Sequence, residues 1–137
     1  MKKLLIILLF LGICSFVAHA QCAIYISVSA HDCAWGNYFD DGKPPHVSMQ
    51  ECENKALLGC KTHGGNNCKL LYKSFTTGWW ALISGIDKDG KIFFTEVDGH
   101  DTKSEAIIDV KKRFTENGGI NVELDKVETW YVPPHKD

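Results

Sequence analysis

The chain has 137 residues, 45% of them hydrophobic, and 15 basic against 17 acidic side chains give it a formal charge of −2. That length suits one domain with a modest interior. An acidic balance with no basic stripe excludes phosphate neutralisation, and with it nucleic acid or an anionic membrane surface, as the main mode of recognition.

The N-terminus reads as an export signal. Met1-Lys2-Lys3 is followed by an apolar run from Leu4 to Val17 and by Ala18-His19-Ala20, the small-x-small form of a signal-peptidase site. We expect cleavage after Ala20, leaving a single α+β domain over residues 21–137 that is secreted or periplasmic. The run is shorter than the ~20 apolar residues a spanning helix needs, and no second candidate follows, so no membrane span is expected. Ile13 and Gln21 precede Cys14 and Cys22 where a lipoprotein signal would need a small residue.

Residues 23–28 (AIYISV) alternate and are β-branched or aromatic, which predicts a strand, and residues 33–39 (CAWGNYF) predict its hairpin partner, with Gly36 weakening it or marking a bulge. The stretch from Asp40 to Pro45 (DDGKPP) is turn chemistry. A helix is expected over 49–62, with Met49, Cys52, Ala56, Leu57 and Cys60 on one apolar stripe, then a strand over 68–75. The chain continues with a strand at 78–84 (GWWALIS), a turn at Asp87-Lys88-Asp89-Gly90 and a return strand at 91–97 (KIFFTEV). A helix over 103–115, with Ala106, Ile107, Val110 and Phe114 inward, and a last strand over 121–130 complete it.

The stretch from Ser48 to Leu71 appears twice. Shifted by 54 positions, Ser48 and Glu51 fall on Thr102 and Glu105, two sets of capping-box spacing, and Gly64-Gly65 falls on Gly118-Gly119 at the helix stops. The same shift pairs Gly36 with Gly90, Phe39 with Phe93 and His46 with His100. Each half, about 23–75 and 78–131, then reads ββαβ. A right-handed crossover lays each third strand beside the first, giving antiparallel order two-one-three. The expected fold is two pseudo-symmetric ββαβ halves, neither stable alone, with one or two antiparallel sheets covered by two helices and stabilised by disulfides.

Trp35-Gly36, Ser48, Ala56-Leu57, Cys60, Cys68, Phe75 and Ala81 resemble the pattern of a secreted bacterial family known only as domain of unknown function 4189. The resemblance covers most of the chain after residue 20 and implies export, a compact α+β domain and disulfides, with no established activity. The chain departs from the pattern at Trp79 and Phe114, where the family has cysteines, and at Cys52, where it has Ala. The departures suggest that a Trp79–Phe114 contact replaces a bridge.

Cys22, Cys33, Cys52, Cys60 and Cys68 remain after cleavage, an odd number. Cys60 and Cys68 flank the glycine loop and are expected to pair; Cys33 with Cys52 is the second expected bridge, and Cys22 with Cys52 its rival. No cofactor or metal is expected, because Cys52, Cys60, Cys68, His46 and His63 lack zinc-site spacing and the Asp87 turn lacks the later calcium ligands. Asp98-Gly99-His100-Asp101 could hold a carboxylate–imidazole pair, with a solvated loop as the plainer reading.

Trp79, Trp80, Trp130 and Tyr131 are the candidate binding surface, against the plainer reading that they cover a sheet face. The expected function is that of an exported binding module, without catalysis, for a protein or cell-envelope component, with an inhibitor or immunity-like role as one form. The alternative is a thiol-dependent hydrolase or redox protein using an unpaired cysteine near His31, His46, His63 or His100.

Overall fold

A computed structural model describes residues 20–120 and 126–136. Most of the expected leader, and the first half of the expected last strand, lie outside these residues. The elements are β1 (Cys22–Val28), β2 (Cys33–Phe39), α1 (Met49–Thr62), β3 (Lys69–Ser74), β4 (Gly78–Asp87), β5 (Ile92–His100), α2 (Lys103–Glu116), β6 (Gly119–Ile120) and β7 (Val127–Val132). The class is α+β with two antiparallel sheets. One sheet has the order β2-β1-β3; in the other, β5 pairs with one edge of β4, and β6 and β7 lie along the opposite edge.

Both central strands are buried on both faces, and this fixes the layering. Trp80, Ala81, Leu82 and Ile83 run consecutively buried along β4, as do Cys22, Ala23 and Ile24 along β1. Because successive side chains alternate, Cys22 and Ile24 pack against Trp80, Leu82, Phe94 and Val132 between the sheets. Ala23 packs outward with Cys52 and Ala56 of α1, while Ala81 and Ile83 pack outward with Ala106, Val110 and Phe114 of α2. The result is four layers: helix, sheet, sheet, helix.

Both helices start and stop where the capping pattern predicts, although only the second forms the full box; at the first, the Glu51 carboxylate pairs with Lys55. Ser48 accepts from the Glu51 N–H, and Thr102 and Glu105 form a complete capping box. Gly64 and Gly118 carry the chain out of each helix at φ +94° and +95°, a conformation that costs other residues a steric penalty. The 54-residue spacing holds for the helices and fails for the strands. The β1–β2 turn starts at Ser29 and the β4–β5 turn at Lys88, 59 apart, because β4 and β5 have 10 and 9 residues where β1 and β2 have 7 each. Residues 40–48 before α1 shrink to 101–102 before α2, which restores the spacing. The Gly36/Gly90 match is therefore not structural: Gly36 lies mid-strand, while Gly90 is in a turn at φ +76°.

Phe114 stacks on Phe93 at 4.7 Å and lies over Gly85, while Trp79 meets Tyr131 at 5.7 Å. The contact expected of Trp79 with Phe114 is thus divided between two other aromatic pairs.

Cys60 and Cys68 form the expected disulfide. The second bridge is absent: Cys22, Cys33 and Cys52 are all free. Gly36, midway along β2, faces Ala56 and Cys60, and Cys60 reaches the Ala34 carbonyl, so β2 and α1 run in opposite directions. Cys33 therefore lies beyond the C-terminal turns of α1 and Cys52 in its first. The rival pair fails differently, since Cys22 points between the sheets and Cys52 into the helix layer. Replacing Cys60 and Cys68 together by Ala is expected to lower stability by about 2–3 kcal/mol, the loop-closure value for a short ring. Urea unfolding of the double variant beside the unsubstituted protein measures it.

Candidate functional site

The longer hairpin of the second sheet leaves part of its inner face uncovered. Trp80, Leu82 and Ser84 of β4 face the first sheet, and alternation directs Ile86 the same way. Its cross-strand neighbours in register are Ile92 on β5 and Ile120 on β6, so three isoleucines form a row across the sheet. Opposite them the first sheet has already turned, through His31 and Asp32. Ile86 and Ile120 consequently stay 39% and 40% exposed, unlike the fully covered residues deeper along β4.

A cleft of about 380 Å³ opens under this overhang, lined by His31, Asp32, Cys33, Ser84, Ile86, Ile92, Ile120 and Lys126 among others. It continues inward as a second space of about 220 Å³ reaching Trp35, Leu82 and Phe94. An apolar floor with a few charged groups at the rim is the usual composition of a ligand site, and the volume falls in the usual range. Asp32 and Lys126 put opposite charges on the rim.

Cys33 is the one free thiol in the cleft wall. Burial raises its pKa, Asp32 raises it further, and Lys126 and Ser84 oppose the shift. Burial pushes the Cys22 thiol up to about 12 and the Cys52 thiol up to about 11. The thiolate is the reactive form, so none of the three is primed at neutral pH. Alkylation of the native protein is expected to modify Cys33 alone, at a rate still rising with pH above the ordinary thiol range, and Cys22 and Cys52 only after unfolding. Intact-mass measurement at successive pH values counts the adducts.

The four aromatic candidates do not share a surface. Trp80 is fully buried between the sheets, and Trp130 lies on the same face, stacked 6.0 Å from Trp80 and 6.2 Å from Trp35. Trp79 and the 45% exposed Tyr131 lie on the other face, beside α2. His100 does form a carboxylate pair, with Asp109 of α2 at 2.9 Å and not with Asp98 or Asp101. Asp98 instead accepts from the Tyr72 hydroxyl. His63 meets the Trp35 carbonyl at 2.8 Å.

Sequence reasoning missed the isoleucine row. Its signal was available in the unequal lengths of the two hairpins and in the isoleucines flanking the second turn. Comparisons with protein-family models, with curated proteins and with solved structures return no match.

Proposed function

We propose that the protein is a small exported binding module that accepts an apolar segment of a partner protein or cell-envelope component in the cleft under the isoleucine row. The observation that carries this is the row itself: three in-register isoleucines, two of them well exposed, on the sheet face whose deeper residues Trp80 and Leu82 are fully covered. Apolar area of this kind beside a concavity marks interaction sites, and the Asp32 and Lys126 charges would fix orientation at the rim. An inhibitor or immunity-like role is one form of this function. The Cys60–Cys68 bridge suits an oxidising compartment, no helix among the described residues is long and apolar enough to cross a membrane, and the stretch from Met1 to Ala20 has the sequence form of an export signal.

The test uses an anilinonaphthalene sulfonate dye, which fluoresces in apolar sites. The native protein is expected to bind it saturably, and Ile86→Glu, which places a charge in the row, to weaken binding at least about tenfold. That corresponds to the ~1.4 kcal/mol expected from losing about half a buried Ile side chain. Saturable binding unchanged by Ile86→Glu, or none in the native fold, would remove the cleft from consideration.

Thiol chemistry is the second reading, favoured by one observation: Cys33 and His31 line the same cleft. It requires a thiolate at neutral pH, which burial and Asp32 both oppose.

A further inference from the structure

At the opposite end of β2 from the cleft, residues far apart in sequence assemble around one carboxylate. Asp40 directly follows β2 and is wholly buried. Its Oδ1 accepts from the Gly42 N–H and its Oδ2 from the Val47 N–H, both at 2.7 Å. His46 Nδ1 stands 3.4 Å and His135 Nε2 3.3 Å from the same Oδ2. The two imidazoles lie face to face, centroids 3.8 Å apart and 13° from parallel. Their nitrogens therefore lie along one edge of the stack, facing Oδ2.

The geometry points to a binding site for one divalent transition-metal ion, of which zinc is the type, held by Asp40, His46 and His135. Three observations support it. First, the spacings are long for charge-assisted hydrogen bonds, which fall near 2.7–2.9 Å; elsewhere in this molecule His100 meets Asp109 at 2.9 Å. They match the edge of a tetrahedron instead, since ligands about 2.0–2.1 Å from zinc stand about 3.3 Å from one another. Second, the His135 side chain is only 4% exposed, and neither of its ring nitrogens makes a hydrogen bond. A buried imidazole whose nitrogens make no hydrogen bond is costly, and a metal ion satisfies one of those nitrogens. Third, the carboxylate is already oriented by two backbone N–H groups, the kind of outer support that metal ligands require.

All three donor atoms lie within 4.8 Å of one another. The remaining closure falls to His46, the more exposed of the two imidazoles at 28%. Two imidazoles and one carboxylate suit zinc, copper or nickel over calcium and magnesium, which take oxygen ligands. With three protein ligands, one position stays open to water or an external donor. The ion would also tie the C-terminal segment to the loop after β2, where the Lys136 N–H already bonds the Gly42 carbonyl at 2.8 Å.

The site is independent of the cleft: Cys33 begins β2 and Asp40 follows its end, about 20 Å along a strand of seven residues. Calorimetric titration of zinc into chelator-treated protein is expected to show one ion per chain, and cobalt substitution the visible absorption of a tetrahedral ion. Both experiments use protein in which Cys33 is replaced by Ser, so that no accessible thiol competes. His46→Gln and His135→Gln should each weaken binding beyond the roughly 10–100-fold that follows loss of a merely supporting residue. His63→Gln should leave it unchanged. Circular dichroism of the metal-free variants confirms that they fold, and the exposed His46 keeps the test valid if the buried His135 variant does not. Absence of saturable zinc binding, or binding undiminished in the folded His46 variant, would overturn the assignment.

Discussion

Trp80→Ala is expected to cost about 3–5 kcal/mol, as large aromatic-to-Ala changes in packed interiors do. Trp80 is wholly buried where the two sheets meet, stacked on Trp130 and tilted against Tyr72 of the opposite sheet at 5.6 Å. Its indole N–H donates to the Thr76 carbonyl at 3.1 Å, so truncation also leaves that carbonyl without this donor. Domains of this size hold about 5–15 kcal/mol in total, which makes the loss a large fraction of the whole. Urea unfolding followed by the remaining Trp fluorescence measures it. A change below about 1 kcal/mol would mean that the sheets do not share this interior.

Gly36→Ala is expected to have the second-largest effect, at or above the upper end of the roughly 1–3 kcal/mol typical of overpacking. A Cβ at Gly36 would fall on the backbone nitrogen of Cys60 and the carbonyl oxygen of Ala56. Backbone atoms of a helix cannot rotate aside as a side chain can, so α1 must lift from the sheet. The displacement would also strain the Cys60–Cys68 bridge, whose first cysteine sits at the point of approach. Gly59→Ala, whose added carbon meets Gly36 at an ordinary 3.4 Å, is the control. Thermal unfolding should separate the two by several degrees.

Much of the fold was legible because local chemistry specified it. The first helix was expected over 49–62, its observed span, since an apolar stripe fills that stretch and a capping serine and a glycine stop flank it. The Cys60–Cys68 bridge followed from the same short segment. What depended on distant partners was less legible. The 54-residue repeat is carried by the helices, and the strands escape it because a longer second hairpin is offset by a shorter loop before α2. Aligning Gly36 with Gly90 matched a strand glycine that lets α1 pack close with a glycine that makes a turn. The Cys33–Cys52 pairing failed because composition could not show that β2 and α1 run in opposite directions. Adjacent tryptophans were rightly expected on opposite faces, but which faces were covered required the second sheet. Asp40 and His135 had no shared local signal: one follows β2, and the other lies beyond β7.

The isoleucine row ties these outcomes together, since the extension that breaks the repeat is also what exposes Ile86 and Ile120. Site-specific photo-crosslinking in the cells that make the protein tests this most directly. A photoreactive residue at Ile120, on the row, is expected to trap a discrete partner adduct, whereas one at Ile108, 67% exposed on α2, is expected to trap none. Equal adducts from both positions, or an adduct from Ile108 alone, would contradict the account.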